Sequence, residues 1–93
     1  MRRELVLAST FVRAVKRFGK KDQAALAAIR ATLEILQGDP FDPRLGSHKL
    51  KGSLAGLWSC SAGYDLRIVF EMTTNNDQEA ILLVSVGTHD EVY

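Results

Sequence analysis

Ala80-Ile81-Leu82-Leu83-Val84-Ser85-Val86 is the most apolar run in the chain, and it passes directly into Gly87-Thr88-His89-Asp90-Glu91-Val92-Tyr93. An apolar run of this length, rich in Val, Ile and Leu, reads as a central strand. The glycine after it lets the backbone turn sharply. A histidine and a tyrosine are therefore expected at the exit of a buried strand. A tail that carries so reactive a side chain has to be docked, because chain ends otherwise fray. The tail is read as part of a site.

Working back from this run, the second half of the sequence reads as a β-meander. Strands are expected over Leu54 to Cys60, Asp65 to Thr73 and Ala80 to Val86. Ser61-Ala62-Gly63-Tyr64 and Thr74-Asn75-Asn76-Asp77-Gln78 supply turn chemistry between them. In the middle strand, period-two alternation points Leu66, Ile68, Phe70 and Met72 to one face and Asp65, Arg67, Val69 and Glu71 to the other. The first face is expected under helices. The second then carries Asp65 and Arg67 side by side.

The first half supplies those helices. Leu5-Val6-Leu7-Ala8 is short enough for a first strand, and Ser9 or Thr10 offers an oxygen to cap the helix that follows. Phe11, Val15 and Phe18 fall at helical spacing, Arg13, Lys16, Arg17 and Lys20 fall elsewhere, and Gly19 is expected to close the helix. Asp22 starts a second helix to about Gln37, with Leu26, Ile29, Leu33 and Leu36 as its stripe and Gly38-Asp39-Pro40 as its stop. Two helices joined by so short a turn form an αα-hairpin. Phe41 to Lys51, with Pro40 just before it and Pro43 and Gly46 within it, reads as a loop that contains His48.

Ninety-three residues make one domain, 1–93, with a single core, and ample aliphatic content argues against disorder. No stretch approaches the roughly 20 apolar residues that cross a bilayer, and the apolar run after Met1-Arg2-Arg3-Glu4 is short for a secretion signal. With the lone Cys60 unable to form an internal disulfide, a cytoplasmic location is expected. One cysteine and two distant histidines fall short of a zinc signature, so neither metal nor other cofactor is expected. The net charge of +1 conceals a split. Residues 1–51 hold eleven Lys and Arg against five Asp and Glu, whereas residues 52–93 hold one against six. Such a basic half can attract a polyanion or an acidic partner.

His48 from a loop, His89 from a strand exit, and Asp65 with Arg67 on one strand face would together combine two proton carriers, a carboxylate and a guanidinium. RNA scission through the 2′-hydroxyl requires these roles: a base for the 2′-proton, an acid for the departing 5′-oxygen and a cation for the phosphorane. Histidine suits the proton transfers because its ordinary pKa is about 6.5. Tyr93, Trp58 and Tyr64 are candidates to stack on bases, and Trp58 equally suits a core. Taken alone, Asp65 and Arg67 read better as a surface ion pair of little energetic weight.

The order His48-Lys49-Leu50-Lys51-Gly52, Gly56-Leu57-Trp58-Ser59-Cys60, Asp65-Leu66-Arg67-Ile68-Val69-Phe70 and Val86-Gly87-Thr88-His89-Asp90-Glu91-Val92-Tyr93 resembles the RelE/ParE superfamily of bacterial toxins, and within it the YafQ-like branch. The resemblance implies a ribosome-dependent endoribonuclease of a type II toxin–antitoxin pair, which cuts mRNA in the ribosomal A site and is held inactive by a cognate antitoxin. The YafQ-like pattern places functional positions on His48, Asp65, His89 and Tyr93, and Arg67 matches the site arginine of RelE-like members. Ser61 departs from the pattern, since YafQ-like members carry a further histidine there. The fold expected is α+β: a four-stranded, mostly antiparallel sheet with the helical hairpin on one face and the catalytic groups on the other. Within this reading His89 is the general acid, Asp65 or His48 the base, Arg67 the phosphate stabiliser, and Tyr93 orients the site or stacks on a base. Two alternatives are a ParE-like inhibitor of DNA gyrase, which would need no proton-transfer set, and a non-catalytic interaction module.

Overall fold

The computed structural model describes residues 2–93. Strand β1, Glu4–Leu7, is followed by helices α1, Ser9–Lys21, and α2, Gln23–Gly38. Strands β2, His48–Lys49, β3, Trp58–Ala62, β4, Leu66–Asn75, and β5, Gln78–Thr88, come next, and a one-turn helix α3, His89–Val92, completes the described order. The sheet runs β1-β5-β4-β3-β2, with β1 parallel to β5 and every other pair antiparallel.

The helical hairpin forms as its periodicity dictates. Phe11 and Ala14 of α1 and Ala25, Ile29 and Leu36 of α2 enter one core with Ile68, Phe70, Ile81, Leu83 and Val86 of the sheet. Two boundaries differ from expectation. The first residue before α1 is Ala8, and no side chain caps the helix. Thr10 Oγ1 instead donates to the Val84 carbonyl, so this hydroxyl fastens α1 to β5. Gly19 lies inside α1, which runs on to Lys21, because Asp22 holds the break by itself: its backbone is extended, its N–H closes α1 on the Phe18 carbonyl, and its carboxylate accepts from Ala25 N at 3.0 Å.

The sheet has five strands where four were expected. His48 and Lys49 pair with Ser59 and Trp58, a ladder too short to leave a period-two signal in sequence. Leu54 belongs to a 3₁₀ turn, Gly52–Leu54, and β3 begins only at Trp58, because Gly52 and Gly56 turn the backbone left-handed on either side, with φ of 68° and 95°. Asp65 likewise lies in the turn ahead of β4. At the other end Asn76 and Asp77, with φ of 53° and 65°, make the tight β4–β5 hairpin in the manner of a type I′ turn.

One irregularity shapes everything that follows. Val69 pairs with Ser85 but Phe70 pairs with Leu83, which leaves Val84 as a bulge on β5. Ile81 and Leu83 face the core ahead of the bulge, and Val86 faces it afterwards. A bulge adds one residue and so reverses the alternation. Without it, Ser85 and Gly87 would follow Leu83 into the core.

Candidate functional site

Opposite the helices, the register lines up His48, Ser59, Val69 and Ser85 across four strands. The next row on the same face is Ser61, Arg67 and Gly87. Val69 is buried although it belongs to no part of the helix-side core, because this face has a cover of its own. Helix α3 folds back from the end of β5 onto β5 and β4. It comes close at Gly87, where a Cβ would lie 3.0 Å from Glu91 Cβ and 2.9 Å from Glu91 Oε1, so only glycine fits without a shift. The Glu91 carboxylate accepts from Thr88 N at 2.8 Å, closing the first turn of α3. That hydrogen bond, with a further contribution from Arg17 at 3.6 Å, holds the Glu91 carboxyl below its ordinary range.

This docking brings the tail residues together. The Tyr93 hydroxyl donates to Ser59 Oγ, and the His89 imidazole stands edge-on to the Tyr93 ring, with centroids 4.6 Å apart and planes at 82°. His89 Nδ1 lies 3.4 Å from the exposed Asp90 carboxylate. His48, exposed on the outermost strand, has Nδ1 3.2 Å from the Gly46 carbonyl. A carbonyl only accepts, so Nδ1 carries the proton and the neutral ring keeps its lone pair on Nε2, free to receive one. Ser59 thus carries Tyr93 and, through its ring, His89, while its register partner on β2 is His48.

Arg67 is half-buried on that face, and its Nη1 donates to the Leu66 carbonyl at 3.0 Å. Among the described residues it forms no ion pair, and the expected Asp65–Arg67 pairing is absent. Asp65 instead lies exposed in the turn, beside a crevice of about 300 Å³ that Phe18, Asp22, Ala28, Leu66 and Thr88 also line. Leu66 and Thr88 are the last paired residues of their strands, so Asp65 and His89 both sit just beyond the same rung. The structure therefore ties Tyr93 to Ser59 and His89 to the Tyr93 ring, sets His48 beside Ser59 in register, keeps Arg67 one row away and leaves Asp65 at the margin.

Ser59 was not among the expected site residues. Alternation offered a signal for it: with Trp58, Cys60 and Ala62 facing the helices, Ser59 and Ser61 had to face the site. Trp58 is occupied elsewhere, packed against the core, with Phe41 edge-on at 4.9 Å and Lys49 Nζ 5.6 Å from its ring centre. Tyr64 is fully exposed and touches none of this group. Burial pushes the Cys60 thiol up to about 12, which makes it inert as a nucleophile. Among the described residues no three His, Cys, Asp or Glu side chains come together as a metal site would need.

The family model described as "Bacterial toxin of type II toxin-antitoxin system, YafQ" matches residues 3–93. The chain belongs to the YafQ family of type II toxin–antitoxin toxins. Solved structures of such toxins share its fold. A YoeB/ParE toxin from Agrobacterium tumefaciens matches with a TM-score of 0.79 at 19% identity, covering 92% of this chain and 98% of that one. YafQ from E. coli strain BL21(DE3) matches with a TM-score of 0.79 at 16% identity, covering 98% of both chains. The E. coli DinJ-YafQ toxin-antitoxin complex matches with a TM-score of 0.77 at 16% identity, covering 100% of this chain and 99% of that one. No curated protein matches the sequence.

Proposed function

We propose that this toxin is a ribosome-dependent endoribonuclease that cuts mRNA in the A site without a metal, and that a cognate antitoxin silences it. What supports the reading is that His48 pairs in register with Ser59, whose hydroxyl holds Tyr93, and that the His89 ring stands against Tyr93. His48, with Nε2 free, or Asp65 takes the proton from the message's 2′-hydroxyl. The 2′-oxygen then bonds to phosphorus, the bond from phosphorus to the 5′-oxygen breaks, and His89 gives that oxygen its proton. The products are a 2′,3′-cyclic phosphate and a 5′-hydroxyl. Arg67, unpaired by any carboxylate, supplies the positive charge that the phosphorane needs. Tyr93 orients the site.

Ribosome dependence fits the exposure of both imidazoles, which have no partner among the described residues that would align RNA, so the ribosome would supply the positioning. The antitoxin assignment rests on family membership and on the complex that E. coli YafQ forms with DinJ. The test is to induce this chain alone in bacteria and map RNA 5′ ends. Cuts within translated messages, bearing 5′-hydroxyl ends, are expected, and co-expression of the neighbouring antitoxin should abolish them. Filamentation with intact messages would replace this reading by gyrase inhibition, and 5′-phosphate ends would rule out the 2′-hydroxyl route.

A further inference from the structure

Ser59 is fully buried in the middle of β3, on the side away from the helix-side core that Cys60 and Ala62 join from the same strand. Core packing therefore makes no use of its hydroxyl. A buried hydroxyl needs a hydrogen-bond partner, and here the partner is the Tyr93 phenol. The Tyr93 ring in turn is the neighbour that stands against His89, since the remaining side-chain contact of this exposed imidazole is with the fully exposed Asp90. Ser59 is also the register partner of His48. One buried hydroxyl, on the residue paired with His48, thus fixes the ring on which His89 leans.

Resting on the nuclease reading above, we infer that Ser59 is a positioning residue for His89, acting through the Tyr93 phenol. Tyr93 then works by its hydroxyl as well as its ring, because the ring is held for His89 from inside the protein. The tyrosine at this position is used as a tyrosine and not merely as an aromatic surface. An anchor of this kind acts on the turnover step, since it sets the angle of the acid and makes no contact with the message.

The experiment compares Ser59→Ala, Tyr93→Phe and the double variant in the full chain by two readouts. Imidazole NMR of the ribosome-free protein reports the His89 ring, and single-turnover cleavage of ribosome-bound message reports its use. Ser59→Ala touches His89 nowhere, yet it is expected to shift the His89 ring signals as Tyr93→Phe does. Each single variant should lower kcat about 10- to 100-fold with KM kept, the usual scale of a small misplacement, and the double variant should be no worse than either. Unmoved His89 signals in both single variants, or a double variant that loses the product of the two effects, would overturn the inference. If the parent cuts no message but His89 shifts in both variants, the nuclease reading falls while the anchor stands. Should Ser59→Ala fail to fold, Tyr93→Phe removes the same hydrogen bond from the exposed side and decides alone.

Discussion

The two histidines reach one face by unlike means. His48 sits on a two-residue edge strand, held by the pairing of His48 and Lys49 with β3 and by its ring's contact with the Gly46 carbonyl. His89 sits on a one-turn helix that depends on a chain of conditions: the Val84 bulge, the bare backbone of Gly87, the Glu91 carboxylate on Thr88 N, and the Tyr93 hydroxyl on Ser59. A short helix has no stability of its own in water, so α3 exists because tertiary contacts hold it. The local device is simple and tolerant. The tail is accurate but breakable at several points.

The comparison is broken most severely by removing the rings themselves. His89→Ala and His48→Ala are each expected to lower single-turnover cleavage of ribosome-bound message by about 10² to 10⁴. Both imidazoles are exposed, so thermal midpoints should stay close to that of the parent. A variant that unfolds would mark its histidine as structural.

Gly87→Ala separates the two devices. The added Cβ meets Glu91 Cβ at 3.0 Å, and that neighbour is part of the α3 turn, so the helix must lift. Overpacking of this kind typically costs about 1–3 kcal/mol. Hydrogen exchange should show α3 amides losing protection while β2 and β3 keep theirs. Cleavage should fall with His48 undisturbed.

Acid sharpens the contrast. The Thr88 N–H favours the charged form of Glu91 and holds its carboxyl below the ordinary range. A depressed folded-state pKa means that the stabilisation is complete above the unfolded value of about 4.3 and is lost as pH falls through the folded value. The α3 turn should therefore loosen below about pH 4, with no matching change around His48. Glu91→Gln should remove that pH dependence at neutral-pH cost of about 1 kcal/mol or less, the scale of a helix cap. An acid transition that persists unchanged in Glu91→Gln would assign it to another group.

The smallest effect is expected at the Arg17–Glu91 bridge, 3.6 Å long with both side chains about half exposed. Arg17→Ala should change stability by about 0.5 kcal/mol or less. A larger loss, measured by denaturant unfolding, would mean that α1 clamps the tail.

Much of the framework could be read in the sequence. The helical hairpin followed from Phe11, Val15, Ile29 and Leu36, and the core face of β4 followed from Leu66, Ile68 and Phe70, because a 3.6- or 2-residue period survives any later detail. Phe41 to Lys51 was read as a loop throughout, whereas His48 and Lys49 form a strand, since two residues hold no period. Gly87 was expected to turn the chain, whereas it is a paired residue of β5 and serves instead to let Glu91 approach, a contact absent from local sequence.

The sequence by itself determined an α+β chain with a helical hairpin on one sheet face and membership of a toxin family, and it marked two histidines and a tyrosine as candidates for a site on the other face. Only the tertiary structure decided how those groups meet. Ala80 to Val84 is apolar on both faces, so the pattern up to that point does not mark the residue at which the alternation reverses. The bulge at Val84 is set by pairing with β4 and by the Thr10 hydroxyl on its carbonyl. That single reversal turns Ser85 and Gly87 outward, lets α3 settle over Gly87, and carries Tyr93 to Ser59 and His89 to the face of His48. Asp65 and Arg67, neighbours by alternation, were parted because the turn from Gly63 to Asp65 ends before the ladder begins. Periodicity reports which side of an element is buried, whereas register and bulges are settled by long-range pairing that no short window of sequence contains.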